Sequence, residues 1–320
     1  AKTMVGIVKA MPKVEVAQEV LGRMKPLLES KNASLIQIAS KVMQDLALVV
    51  PQVKNNVLEV MSELFKAFPQ MEVAQEVLKQ ATFLLGSKDA ASAKIAIKTM
   101  TEVVAAFPSI VNEAFTMLKP LLLDNHAKAL ANEAIVGIVQ ALPTSLVAYS
   151  ALGVVSYGQE DYFGNISAEE STAKTVVEIV RAVPEVTVAR CALDIPNRWL
   201  DIMASDSGKA AAARIMSEVV GIVPQATVAE SALGKLCSLF RYNSLEAIKA
   251  TTAMIAIVKA VPEVAPRALS ITHSYIGDND LMPYALSGIV QFAPHLVEKA
   301  FGIIQYRLND RYSSAYTELR

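Results

Sequence analysis

The sequence predicts an all-α protein. It reads as an α-α superhelix (solenoid) of about eight two-helix repeats of roughly 38 residues, with one unpaired extra helix near 51–68. Three observations point there. The heptamer Glu15-Val-Ala-Gln-Glu-Val-Leu21 recurs letter for letter at Glu72–Leu78, each time just after a proline. Prolines at 12, 51, 69, 108, 143, 184, 224, 262 and 294 are spaced by 39, 18, 39, 35, 41, 40, 38 and 32 residues. Apolar columns keep fixed offsets from those prolines. Self-similarity at such a period marks a stacked repeat protein, because each unit can bury its apolar face only against the next.

The columns define the elements. Counting forward from proline, Val at +4, Ala at +5 and Leu at +9 occur in five copies: Val16-Ala17-Leu21, Val73-Ala74-Leu78, Val147-Ala148-Leu152, Val188-Ala189-Leu193 and Val228-Ala229-Leu233. Counting back, methionine stands at −8 (Met4, Met43, Met61, Met100, Met216, Met254) and an apolar pair at −5 and −4 (Ile7-Val8 through Ile289-Val290). Offsets of −8, −5, −4 and −1 share one face at a period near 3.6, so a helix precedes each proline. Proline suits the first turn of the next helix and pushes the residue before it out of the α region. Midway between prolines lie polar breaks such as Ser30-Lys31-Asn32, Ser87-Lys88-Asp89 and Ser205-Asp206-Ser207, which supply turns and N-caps. Each repeat is then helix A, after the proline, and helix B, before the next one.

In chain order, residues 1–11 read as a truncated repeat, a lone B helix without its A partner. Residues 12–68 read as a three-helix unit, because the interval from Pro51 to Pro69 is half-length and has no polar break. If helices alternate in direction, that extra helix moves the proline turns to the other edge. Residues 69–293 are two-helix repeats and 294–320 a C-terminal cap, suggested by the polar stretch Arg307–Arg320. The whole, 1–320, is expected to be a single repeat domain.

These columns resemble those of the HEAT/armadillo-like α-solenoid superfamily. Pro26, Pro120 and Pro196 fall inside A helices, at +14, +12 and +12, and an internal proline in the first helix is a feature of HEAT repeats. The resemblance implies a superhelix of stacked helix pairs, a fold that serves as a protein-binding surface.

Composition excludes other classes. Apolar residues make up 53% of the chain and charged ones 19%, so it has ample surface to bury and is not disordered. Thirty basic residues face thirty-one acidic ones, and that balance offers no electrostatic footing for nucleic acid. Pro143 and several polar residues interrupt the uncharged run 134–159, so no membrane span is expected. Cys191 and Cys237 form no CxxC pair and read as small core residues; with no signal-peptide pattern they suggest a cytoplasmic location. GxGxxG, GxSxG, HExxH and EF-hand patterns are absent, and His126, His273 and His295 are scattered. The acid pairs Glu160/Asp161 and Glu169/Glu170 sit in the longest break, 157–171, and read as solvated. No enzyme, cofactor or metal is expected.

What remains is an interaction surface. At −10 and −6 the B helices carry i,i+4 pairs: Lys41/Asp45, Lys98/Glu102, Lys174/Glu178 and Arg214/Glu218. Each pair is worth only about 0.2–0.5 kcal/mol within its helix. Stacked, they would form basic and acidic stripes able to grip an extended peptide or an adjoining subunit. Glycines 6, 137 and 288 replace the acid and interrupt the ladder. Tyr157, Tyr162 and Phe163 of the long break join these candidate partner-binding residues, since insertions in repeat proteins map to loops on one face. The sequence therefore suggests a non-catalytic protein–protein interaction scaffold or adaptor. The alternative is a self-assembly module whose open repeat ends stack into oligomers or filaments, with the N-terminal helix as one such end.

Overall fold

In a computed structural model, described for residues 2–28, 30, 32–67, 69–86, 89–124, 126–157, 166–200, 205–241, 245–275 and 281–318, the chain folds into α-helices and short 3₁₀ turns. No strand occurs among the described residues. Two compact units divide the chain, 1–161 and 162–320. The first holds α1 (Lys2–Ala10), α2 (Val14–Leu28), α3 (Ala33–Val49), α4 (Lys54–Ala67), α5 (Met71–Leu85), α6 (Ala90–Ala106), α7 (Val111–Leu122), α8 (Lys128–Ala141) and α9 (Ser145–Tyr157). The second holds α10 (Ile166–Ala182), α11 (Val186–Asp194), α12 (Asp206–Ile222), α13 (Ala226–Leu236), α14 (Leu245–Ala260), α15 (Ala265–Tyr275), α16 (Leu281–Phe292) and α17 (Val297–Glu318).

Within each unit every helix packs on its chain neighbours and on the helix two places along. In the first unit α1, α3, α5, α7 and α9 stack as one row, and α2, α4, α6 and α8 as the other. In the second, the B helices α10, α12, α14 and α16 form one row and the A helices α11, α13 and α15 the other. Helix α17 continues the A row: Arg307 donates to the His273 carbonyl on α15 at 2.7 Å, and Tyr306 meets the His273 ring edge-on at 5.4 Å. This is the all-α repeat packing that the periodicity predicts.

The predicted columns are the core. Met43, Met61, Met100, Met216 and Met254 are fully buried, as are Val104, Val139, Val180, Val220 and Val258 at −4. Burying one such side chain stabilises by about 1.5–3 kcal/mol. Asn32, Asp89 and Ser205 cap α3, α6 and α12 by accepting from amides of the first turn, as the polar breaks predict. Pro26 and Pro120 lie inside α2 and α7, whereas Pro196 falls in the 3₁₀ turn 195–200 that ends α11.

The proline turns come in two kinds, and the five copies of the Val-Ala-Leu column mark the first. After Pro12, Pro69, Pro143, Pro184 and Pro224 the helix begins two residues on, and the Val-Ala-Leu column holds. After Pro51, Pro108, Pro262 and Pro294 a three-residue 3₁₀ turn comes first. Its tighter winding re-aims the helix. The buried column then falls at +2, +6 and +7: Val53, Val57 and Leu58; Ile110, Ala114 and Phe115; Val264, Ala268 and Leu269.

The extra helix is α4. It packs on α5 and α6 and stands in the row of α2, α6 and α8. Its insertion changes the parity of everything before it. Helices α1 and α3 carry B columns, yet they stand in the row that later holds the A helices α5, α7 and α9.

Two local expectations are corrected. Cys191 is exposed and Cys237 half-buried, with the Cys237 thiol donating to the Leu233 carbonyl, so neither is a core residue. Glu169 is buried rather than solvated, because α10 begins at Ile166 and turns it toward the start of α12.

Candidate functional site

The charge ladder does not run as one stripe. Lys41 and Asp45 lie on α3, Lys98 and Glu102 on α6, in different rows of the first unit, and the parity change at α4 separates them. Glu102 is held by Lys98 at 3.9 Å on its own helix and by Lys66 of α4 at 3.1 Å. A second cross-helix tie, Lys25 to Glu63 at 3.8 Å, joins α2 to α4. Sequence reasoning missed Lys66 and Lys25 because it paired charges within helices; their partners stand one helix along the row.

In the second unit Lys174 and Glu178 lie on α10, and Arg214 and Glu218 on the adjacent α12. Glu178 pairs with Arg181 instead of Lys174. Arg214 donates from Nε to Glu218 at 2.7 Å and reaches Glu170 of α10 at 3.6 Å. Tyr157, exposed at the end of α9, has the Lys119 ammonium 5.5 Å above its ring. Tyr162 and Phe163 lie outside the described residues.

Beside Arg214 a groove of about 510 Å³ runs across α10, α12 and α14. Alanines 173, 210, 211, 213, 253 and 256 make its floor, and the small side chains open a valley between the stacked helices. Glu170, Arg214 and Lys249 supply charge, and Ser207, Ser217 and Thr252 supply hydroxyls. All three hydroxyl protons are already used: Ser207 donates to Glu169, Ser217 to the Arg214 carbonyl and Thr252 to the Ile248 carbonyl. Their oxygens therefore keep lone pairs with which to accept from N–H donors. Ser205, the cap of α12, also donates to the buried Glu169 carboxylate at 2.7 Å, and that carboxylate faces the positive end of the α12 dipole. These bonds tie the start of α12 to α10. The sequence signal for the floor was the run Ala210–Ala213, which reads as helix propensity until its neighbours in the row are known.

Glycine at −6 acquires a physical reason. A Cβ on Gly137 would stand 2.9 Å from Thr101 Oγ1 of the preceding B helix, and one on Gly288 would stand 2.5 Å from Ile255 Cδ1. The acid is missing there because successive B helices approach too closely to admit it.

Among the described residues no three His, Cys, Asp or Glu side chains group as metal ligands, and no helix is long and apolar enough to cross a membrane. No protein-family model matches the chain. No curated protein matches it either. Among solved structures it is similar to the crystal structure of Kap121p bound to Ste12p, at 14% identity and a TM-score of 0.30, over 89% of this chain and 38% of that one. The chain thus spans less than half the length of Kap121p. It is also similar to a circular tandem repeat protein with novel repeat topology and enhanced subunit contact surfaces, at 15% identity and a TM-score of 0.21, over 95% of this chain and 69% of that one.

Proposed function

We infer that the chain is a non-catalytic protein-binding scaffold whose B-helix face in the second unit receives an extended peptide segment of a protein partner. The alanine-floored groove across α10, α12 and α14 carries this reading. It combines an apolar floor, acceptor oxygens at Ser207, Ser217 and Thr252, and both signs of charge at Glu170, Arg214 and Lys249. An extended backbone offers the matching N–H donors, and an acidic side chain the match for Lys249. The balance of charge over the whole chain argues against nucleic acid as the partner.

Peptides selected against the purified chain from a random display library test it. Arg214→Glu and Lys249→Glu are expected to weaken the selected peptides at least tenfold in fluorescence polarisation. Both positions are partly exposed, so the fold should persist. Peptides that bind wild type and both variants equally would sink the groove.

A second reading, self-association through open repeat ends, is favoured by a separate observation. Ile7 and Met11 at the first helix are exposed, while the −5 residue is fully or nearly fully buried in Val103, Ile138, Ile179, Val219, Ile257 and Ile289.

A further inference from the structure

Helices α7 and α17 are built to one pattern. Each follows a proline and a three-residue 3₁₀ turn, and each then presents Val, Ala, Phe, an aliphatic residue and Leu at the same offsets. These are Val111, Ala114, Phe115, Leu118 and Leu122 in α7, and Val297, Ala300, Phe301, Ile304 and Leu308 in α17. In α7 the face is covered by α8 and α9, leaving Val111, Phe115 and Leu122 only 9%, 2% and 1% exposed. On α17 the matching Val297, Phe301 and Leu308 are 40%, 59% and 50% exposed. An apolar face of this kind on a solvent-facing helix marks an interaction surface.

The helix that covers α7 has its own double. Helix α8 ends Val136-Gly-Ile-Val-Gln-Ala-Leu-Pro143, and α1 ends Val5-Gly-Ile-Val-Lys-Ala-Met-Pro12, the same residue at six of the eight positions. Ile138 is fully buried, whereas Ile7 is 46% exposed. The glycines agree. Gly137 and Gly288 are pressed by the preceding B helix, but a Cβ on Gly6 would meet nothing within 4 Å. Helix α1 therefore keeps a close-approach site for a preceding helix, and α17 keeps the face that a following helix covers.

We propose that α1 of a second copy of this chain seats on α17 and α16 of the first, as α8 sits on α7 and α6. The contact continues the helix rows already present within each unit. It joins unlike surfaces, so it is heterologous, with the head of one copy on the tail of the next. By the register of the internal pairs, Gly6 meets Ser287 of the partner copy. The residues facing Gly137 and Gly288, Thr101 and Ile255, stand seven places before their prolines, as the exposed Ser287 does. This inference rests on the self-association reading and is independent of the groove.

The test is the mass of the 320-residue chain by light scattering over a concentration series, with Ile7→Glu and Phe301→Glu as variants. Both side chains are exposed in the single chain, and circular dichroism checks that the fold persists. Wild type is expected to climb in steps of 34.4 kDa, and each variant alone to associate at least tenfold more weakly. Mixing the two variants is expected to restore association but to stop at two chains, since one intact α17 then meets one intact α1. Wild type that stays a single chain at every concentration overturns both this pairing and the self-association reading. Wild type that associates while a lone variant still assembles, or while the mixture stays monomeric, overturns the pairing alone.

Discussion

Helices α7 and α17 have nearly the same apolar lettering and opposite surroundings. The first is roofed by the next two helices; on the second Val297, Phe301 and Leu308 stand exposed while Ala300 is buried and Ile304 half-buried. Intrinsic preference is therefore not what separates a covered helix from an exposed one here. A neighbour is. In a repeat protein the same pattern of side chains is closed in the middle of a row and partly open at its end, here at Val297, Phe301 and Leu308.

The comparison can be broken most forcefully at its phenylalanines. Phe115→Ala is expected to destabilise by about 3–5 kcal/mol, since it empties a closed site, whereas Phe301→Ala should move the stability of the separated chain by about 0.5 kcal/mol or less. Urea unfolding of both variants at low concentration measures the contrast. Equal losses would mean that α17 is covered within the single chain.

Glycine sharpens the contrast by reversing the sign. Gly288→Ala forces Ile255 to move and is expected to cost about 1–3 kcal/mol. Gly6→Ala meets open space and should gain about 0.5–1 kcal/mol from helix propensity. Thermal melts of the two variants beside wild type read the difference directly.

The smallest effect concerns a helix start inside the row rather than a face at its end. The Ser92 hydroxyl, followed by the Ala91 and Ser92 amides, holds the Asp89 carboxyl below the usual carboxylate value. A depressed folded value means that the cap's contribution is complete above the ordinary carboxylate range and is lost as pH falls through the lower folded one. Hydrogen exchange at Ala91 and Ser92, corrected for its intrinsic pH dependence, should show faster opening at about pH 3 than at about pH 6. In Asp89→Asn the difference between the two pH values should largely vanish.

Much of this was legible in the letters. The methionine column and the −5/−4 pair could be placed from offsets, and the polar breaks that hold the caps Asn32, Asp89 and Ser205 from their residue types, because helical period and proline chemistry act locally. The candidate site was less legible. Lys66 reaches Glu102, and Arg214 reaches Glu170, across neighbouring helices of a row, and no spacing along the chain encodes that reach. The burial of Glu169 was hidden for the same reason, since its partners Ser205 and Ser207 arrive from the next B helix.

By itself the sequence determined an all-α repeat, its period and the side chains that face inward, since these follow from residue type and a 3.6-residue turn. The half-length interval at Pro51 also implied a change of edge if helices alternate, and the tertiary structure decided which helices share a row. The 18-residue interval at Pro51 changes the parity of the stack, which divides Lys41/Asp45 from Lys98/Glu102. It also decided which copies of one pattern are covered. Exposure belongs to a helix and its neighbours together, and α17 and α7 differ in their neighbours far more than in their letters.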